Sequence, residues 1–306
     1  MSDFSDISKA LNIDYALKSA SELSTFSGGG MAYTLMPKTL LQATKAIAFL
    51  TKENIHFHVL GGGSNLLISD GICKNILVDF KALNDVELNG DFITCQAGAS
   101  LAKIIHVARV HSLCGLEFLS GVPCTLGGAI KMNASAFSSQ IADYIRSIDI
   151  LSCDIANCDK VCNAQPQENL STYFKRIYPQ SQDFSYRRGI DGIVLNATLK
   201  LAKCDKKKSL ELSKKYLAYR KHTQPHFPSI GCTFKNGKIS SGKLIDECGL
   251  KGYKIGGAMI SKTHANFIVN VQNATASDYL ALVDLAKESV LKNFGISLEE
   301  EFKLVK

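Results

Sequence analysis

The sequence predicts an α+β protein of more than one domain. Three observations carry the prediction. Strand and helix signals are mixed along the first 200 residues instead of alternating strictly. Hairpin signals stand beside crossovers, the strongest being "VELNGDFITCQAG" (86–98), which alternates around Asn89 and Gly90. Composition shifts at "AKCDKKK" (202–208), and a chain of 306 residues has length for two or three compact domains.

Taken in order, "KTLLQATKAIAFLTKEN" (38–54) puts Leu40, Ala43, Ile47 and Leu50 on one helical face. "HFHVL" (56–60) reads as a strand running into a glycine-rich stretch, and "KNILVDF" (74–80) as a second strand. After the hairpin, "ASLAKIIHVARVHS" (99–112) is helical, while "YIRSIDILSC" (144–153) and "GIVLNATLKLAK" (192–203) read as strands. A helix over 209–222 follows, preceded by a solvated basic run, Lys206 to Lys208. "TQPHFPS" is a loop, and both His222 and His226 read as loop residues. Beyond it come a short helix, "SGKLIDEC", a strand, "NFIVNV", and a long final helix. That helix opens on a capping-box pattern at Thr275 to Asp278 and sets Tyr279, Val283, Ala286, Val290 and Phe294 on one face.

Composition excludes several classes. The first residues show no basic region followed by an apolar run, so no signal peptide is expected. No apolar stretch approaches the roughly 18 residues of a membrane helix. Ten scattered cysteines read as reduced thiols of a cytoplasmic protein. Cys153, Cys158 and Cys162 lack zinc spacing and a neighbouring histidine, so no metal is expected. A net charge of +7 is too mild to require nucleic acid but suits an anionic small molecule. No protein partner is implied.

Two stretches carry more glycine than packing asks for. In "LGGGSNLLISDG" (60–71), Gly61, Gly62 and Gly63 follow a strand, with Ser64 and Asn65 beside them. Successive bare N–H groups make a concavity suited to phosphate. The pattern is neither a dinucleotide fingerprint nor a Walker loop. In "GLEFLSGVPCTLGGAIKMNASAF" (115–137), Gly121, Gly127 and Gly128 bracket a Pro-Cys-Thr turn. A third loop, "TFSGGGMA" (25–32), holds Gly29 and Gly30. Together they point to one nucleotide-like ligand with a pyrophosphate. A different question is posed by "SIGCTFKNGK" (229–238), which is too polar for a core strand. Its Cys232 fits either a small buried thiol or a proton donor, and the residues alone leave both open.

"VLGGGSNLLISDG", "GLEFLSGVPCTLGGAIKMNASAF", "FSYRRG", "GCTFKN" and "GAMISKTHANFIVN" occur in that order. Together they resemble the UDP-N-acetylenolpyruvoylglucosamine reductase (UDP-N-acetylmuramate dehydrogenase) family in its compact form, over residues 25–301. The resemblance implies a two-subdomain FAD-binding domain of the vanillyl-alcohol-oxidase (PCMH) type, followed by a C-terminal α+β substrate domain. The implied boundaries are an N-terminal segment 1–24, an FAD-binding domain 25–203 split near 80, and a substrate-binding domain 204–306. The implied reaction uses NADPH and FAD to reduce an enolpyruvyl ether on a UDP-sugar for the cell wall.

Site residues follow by motif. Gly29, Gly30, Gly61, Gly62, Gly63, Ser64 and Asn65 are implied to hold FAD. So are Gly121, Val122, Pro123, Thr125, Gly127, Gly128, Asn133 and Ala134 of the segment along the flavin. Tyr186, Lys235, Asn236, Ser261, His264 and Asn266 are implied to bind substrate. Arg187, Cys232 and Glu301 are implied to be catalytic. Cys232 takes the position four before Asn236 where the family pattern has a proton-donating serine, with Thr233 its nearest competitor. Glu301 holds the fourth position of "LEEE", beside Glu299 and Glu300. Cys124 and Ser135 stand where the family has glycine.

The residue types suit the chemistry. Charge building on an enolpyruvyl carboxylate calls for a forked donor such as arginine, and the adjacent carbon needs an acid. Two other readings stand beside this one. A flavin oxidase of the same fold would act on an alcohol with oxygen, but the glycine loops hold no histidine for a covalent flavin link. A non-catalytic nucleotide-binding module would carry no flavin chemistry.

Overall fold

The computed structural model describes residues 11–151 and 173–306. In chain order the elements open with β1 (Asp14–Ser19), α1 (Ala20–Leu23), β2 (Gly29–Met36), α2 (Leu40–Lys52), β3 (Phe57–Leu60) and β4 (Leu66–Asp79). They continue through β5 (Val86–Asn89), β6 (Phe92–Gln96), α3 (Leu101–Val110), β7 (Leu113–Cys114), α4 (Leu126–Lys131), β8 (Ser135–Ala136), β9 (Ser139–Gln140), β10 (Ile145–Leu151), β11 (Phe174–Ile177), β12 (Ile193–Lys200) and β13 (Ala202–Lys203). The last are α5 (Lys206–Thr223), β14 (Ser229–Cys232), α6 (Ser241–Glu247), β15 (Lys254–Ile255), β16 (Ala258–Ile260), β17 (Phe267–Asn270), α7 (Ala276–Phe294) and β18 (Lys303–Val305).

By contacts the chain forms two units. Among the described residues, unit 1 comprises 11–16, 34–62, 76–151 and 173–218, and unit 2 comprises 17–33, 63–75 and 219–306. Unit 1 is built on an antiparallel sheet of order β11-β10-β12-β6-β5. β3 runs parallel to Ile76–Asp79 of β4 in the same unit. Helices α2 and α3 start on the hydroxyls of Thr39 and Ser100, which accept from Gln42 N and Lys103 N. They turn Ile47, Leu50, Ile104 and Ile105 into one core with Phe80, Ile93, Leu126, Ile148 and Leu195.

Unit 2 carries a second antiparallel sheet, β14-β17-β16-β15, covered by α7. β18 runs parallel to Leu66–Ile68 of β4. The capping box of α7 forms between Thr275 and Asp278, and Gly295 closes its far end at φ 65°. Tyr279 sits at the centre of this core, edge-on to Phe26 at 5.0 Å and to Phe302 at 5.2 Å.

Several expectations need correction. The stretch 60–71 is a loop only as far as residue 65, because the apolar run Leu66-Leu67-Ile68 already belongs to β4. Gly127 and Gly128, which bracket the Pro-Cys-Thr turn, belong to α4, and Gly29 and Gly30 begin β2 instead of forming a loop. Ser229–Cys232, too polar for a core strand, is an edge strand, which tolerates polar residues on its open side. His222 is in the last turn of α5, which runs on to Thr223. Phe294 is 39% exposed, not part of the buried stripe of α7. Fifteen residues beyond Tyr279, the helical repeat has carried it about 60° off that stripe.

Candidate functional site

In unit 1 the loop after β3 and the loop before α4 pass closer than side chains permit. A Cβ on Gly61 would meet the Thr125 hydroxyl at 2.3 Å, and one on Gly62 would meet the Pro123 carbonyl oxygen at 2.6 Å. The Thr125 hydroxyl is buried and has no hydrogen-bond partner among the described residues. Such an orphan costs about 1–3 kcal/mol unless a ligand relieves it. The bare backbone of Gly61 and Gly62 beside an unsatisfied buried hydroxyl fits the polar, phosphate-bearing part of FAD. Gly121 supplies a left-handed turn (φ 84°) just ahead of Val122 and Pro123. Gly127 has a packing reason instead: its N–H donates to the Ala97 carbonyl at 2.8 Å, and a Cβ would meet Ala97 at 3.0 Å. Gly128 has room, with Thr125 Oγ1 nearest at 3.6 Å. Ala134 is buried behind them.

Tyr186 and Arg187 form the tip of a two-residue turn closed by paired backbone bonds between Ser185 and Arg188 (2.9 and 3.1 Å). Arg187 is half-buried and stands at φ 57°, a left-handed conformation that costs a non-glycine residue about 1 kcal/mol or more. Its guanidinium lies 5.2 Å from the centre of the Tyr186 ring. Arg188 is exposed and faces Asp191 at 4.0 Å. Of the two arginines, therefore, Arg187 is the enclosed one. Asn133 is 2% exposed, and its amide is bound to protein, with Nδ2 donating to Gln140 Oε1 at 2.8 Å and to the Ser185 carbonyl at 3.3 Å.

In unit 2 the candidate residues gather around β14 and the C-terminal segment. Gly29 and Gly30 have no room for a side chain, since Cβ atoms there would meet the carbonyls of Ile68 and Gly71 at 2.2 and 2.0 Å. They serve the pairing of β2 with β4. A Cβ on Gly63 would likewise meet the Leu23 carbonyl at 2.0 Å, and Ser64 follows it, half-buried, at the start of the next turn. Asn65 pins the end of the chain, Nδ2 donating to the Glu301 carbonyl at 3.1 Å while its own carbonyl accepts from Lys303 N at 2.9 Å.

Cys232 and Thr233 part company. Thr233 is 1% exposed, and its hydroxyl bonds the buried Tyr279 hydroxyl at 3.0 Å. Cys232 ends β14 half-buried. The threonine hydroxyl is therefore engaged within the core, while the thiol keeps partial exposure. Burial pushes the Tyr279 phenol well above its ordinary range; the Thr233 bond opposes this, and Cys232, Glu300 and Glu301 add to it.

The three glutamates also separate. Glu299 pairs with Lys235 and Glu300 with Lys287, and the side chain of Glu299 is 72% exposed. Glu301 is buried, and its N–H donates to the Thr233 carbonyl at 2.8 Å, one residue from Cys232. The sequence names three carboxylates, and the fold turns one of them inward.

The remaining residues are mostly fasteners. Asn266 is 1% exposed, and its amide bonds both backbone groups of Phe234, at 2.9 and 2.8 Å. The Ser261 hydroxyl accepts from Thr263 N and His264 N at 3.1 and 3.3 Å. Asn236 Oδ1 accepts from Ser241 N at 3.1 Å, at the start of α6. His264 packs edge-on to Phe267 at 4.9 Å, and its Nδ1 accepts from Asn266 N at 3.3 Å. Burial holds its pKa below the ordinary histidine value, and Lys251 adds to that. Sequence reasoning missed Tyr279 as a polar group and gave Lys131 no role, although Lys131 stands inside the quoted stretch 115–137; nothing local marks either residue. The Cys153–Cys158–Cys162 run lies outside the described residues. Among the described residues no cluster of three metal-ligating side chains occurs, and no helix is long and apolar enough to cross a membrane.

Residues 31–154 match a family model described as "FAD binding domain". Residues 224–305 match one described as "UDP-N-acetylenolpyruvoylglucosamine reductase, C-terminal domain". A protein of Caldanaerobacter subterraneus subsp. tengcongensis named UDP-N-acetylenolpyruvoylglucosamine reductase is 39% identical over 292 residues, covering 92% of this chain and 90% of that one. A protein of the same name from Chloroherpeton thalassium is 38% identical over 300 residues, 94% and 91% of the two chains. The crystal structure of UDP-N-acetylenolpyruvylglucosamine reductase from Thermus caldophilus aligns with a TM-score of 0.76 at 30% identity, covering 96% of this chain and all of that one.

Proposed function

Because the chain belongs to the UDP-N-acetylenolpyruvoylglucosamine reductase family, we propose that Cys232, Glu301 and Arg187 carry out that family's reaction in it. The protein is an NADPH-dependent flavoenzyme that reduces the enolpyruvyl ether of UDP-N-acetylglucosamine to UDP-N-acetylmuramate in peptidoglycan biosynthesis. Its FAD-binding domain is joined to a C-terminal substrate domain, α+β in class. In our reading residues 25–203 hold FAD, 204–306 hold the UDP-sugar, and 1–24 precede both. A cytoplasmic setting, where NADPH is available, is part of the reading.

FAD, held by Gly61, Gly62 and Thr125, would supply the two-electron chemistry between NADPH and the enolpyruvyl double bond. The chain supplies the rest. Arg187 grips the substrate carboxylate with two parallel donors as charge accumulates there. Glu301, in its protonated form, hydrogen-bonds the enolic oxygen. The Cys232 thiol gives its proton to the carbon that bears the ether oxygen, and the resulting thiolate is reprotonated from solvent. A thiol, with an ordinary pKa near 8.5, releases a proton far more readily than a hydroxyl does. Asn266, Ser261 and Asn236 act through the backbone they fasten, at Phe234, at Thr263 and His264, and at the start of α6. His264, kept neutral by burial, and Lys235 line the same stretch.

The observation that carries this assignment is the contrast at the end of β14, where the Thr233 hydroxyl is tied to that of the buried Tyr279 while Cys232 is only half-buried. The test is direct. Purified protein should be yellow, be bleached by NADPH, regain colour with the enolpyruvyl UDP-sugar and yield UDP-N-acetylmuramate. Bleaching by alcohols would mark an oxidase, and absence of flavin a binding module.

A further inference from the structure

We infer that residues 131–133, at the end of α4, form a clamp that positions Arg187, with Lys131 and Asn133 as positioning residues. The inference rests on the reading of Arg187 as the carboxylate-binding arginine. A two-residue turn with its arginine in a left-handed conformation does not hold such a geometry unaided; the surroundings must impose it. Here they impose it from both sides. Before the tip, Asn133 Nδ2 donates to the Ser185 carbonyl at 3.3 Å. After the tip, Gly189 N–H donates to the Lys131 carbonyl at 3.0 Å. The Lys131 ammonium then donates to the carbonyls of Ile190 at 2.7 Å and Gly192 at 3.2 Å.

Contact on the far side leaves no slack, because a Cβ on Gly189 would stand 1.8 Å from the Ile130 carbonyl oxygen. Asn133 is fixed in turn, its Nδ2 donating to Gln140 Oε1 at 2.8 Å and its Oδ1 accepting from Ala142 N at 3.4 Å. With both ends of its amide bound to protein, its side chain is held in place to support the turn. The clamp also grows out of the helix that follows the Thr125 loop. Within unit 1, one short segment therefore ties the cofactor cradle to the arginine. Its purpose is to keep the guanidinium fork aimed once the substrate carboxylate arrives, a step in which small misplacements are costly.

The test uses FAD-loaded protein and three variants, Lys131→Met, Lys131→Arg and Arg187→Lys. Reduction of flavin by NADPH and its reoxidation by the enolpyruvyl UDP-sugar are followed separately. Trypsin cleavage after Arg187 and Arg188 is mapped by mass spectrometry. Lys131→Met should slow reoxidation about tenfold, the value of one or two lost hydrogen bonds, with NADPH reduction within about twofold of wild type. It should also open the turn to trypsin. Lys131→Arg, which keeps the donors, should restore both. An unchanged reoxidation rate and unchanged cleavage in Lys131→Met, beside a slowed Arg187→Lys, would overturn the clamp alone. Equal slowing of both half-reactions in Lys131→Met would overturn it too, because the segment would then serve the cofactor. An Arg187→Lys protein with wild-type reoxidation would instead overturn the reading of Arg187 on which the clamp depends.

Discussion

Replacing Thr233 by valine separates a structural hydroxyl from a chemical one. Thr233 and Cys232 are neighbours, and sequence alone makes both candidates for the proton donor. In the fold the Thr233 hydroxyl lies 3.0 Å from that of Tyr279, and both residues are at most 1% exposed. Valine keeps the shape and leaves the Tyr279 hydroxyl buried without this partner. Removing one member of a buried pair costs about 1–3 kcal/mol. Tyr279→Phe orphans the other hydroxyl and should cost a similar amount. The double variant removes both polar groups, so its cost should fall short of the sum by about 1 kcal/mol or more. Urea unfolding with excess FAD measures these losses, and turnover below the unfolding range measures the chemistry. Thr233→Val should be less stable yet turn over within about threefold of wild type, since no hydrogen bond to the transition state is lost. A folded Thr233→Val protein that reduces flavin with NADPH but makes no product would refute the assignment and make Thr233 the acid.

Three further outcomes follow from the same geometry. Gly62→Asp adds a side chain where a Cβ already meets the Pro123 carbonyl at 2.6 Å, together with a charge that repels phosphate; FAD affinity, titrated by absorbance, should fall at least about tenfold, a modest 1.4 kcal/mol. Arg187→Lys keeps the charge and loses the fork, so KM for the UDP-sugar should rise with NADPH reduction intact, and unchanged kinetics would move the role elsewhere. His264 is held neutral by burial, its folded pKa below the unfolded value near 6.5. As pH falls through that value the unfolded chain takes up the proton first. The stability of unit 2 should therefore decline from about pH 7 towards pH 5, and His264→Gln should flatten the decline in urea titrations; an unaltered slope would show that another group governs it.

Much of the fold was legible because its signals are local. The capping box at Thr275, the hairpin at Asn89 and Gly90, and the helical stripe of 38–54 each specify an element from a few neighbouring residues. What stayed hidden depends on distant partners. Gly29 and Gly30 look like loop residues, and only the carbonyls of β4 pressed against them explain why a strand needs glycine there. The same holds at the site. "LEEE" offers three carboxylates with nothing local to rank them; Lys235 and Lys287 claim two and burial singles out the third. Lys131 stands inside the 115–137 motif, yet nothing local marks its role, because its targets lie 59 and 61 residues away along the chain. Conversely, Ser261 and Asn266 stand in a motif yet turn their polar atoms to backbone, so a motif marks a place without saying which of its residues face the ligand.

The central claim is that the Cys232 thiol delivers the proton in the second half-reaction. Stopped-flow absorbance of the bound flavin tests it most directly, with NADPH added first and the enolpyruvyl UDP-sugar second. Cys232→Ala should bleach with NADPH at close to the wild-type rate and then fail to regain colour or form UDP-N-acetylmuramate. Cys232→Ser should recover substantial reoxidation, because a hydroxyl at the same place still carries a proton. A Cys232→Ala protein that reoxidises and makes product at near the wild-type rate would contradict the account and leave Cys232 a small thiol at the end of an edge strand.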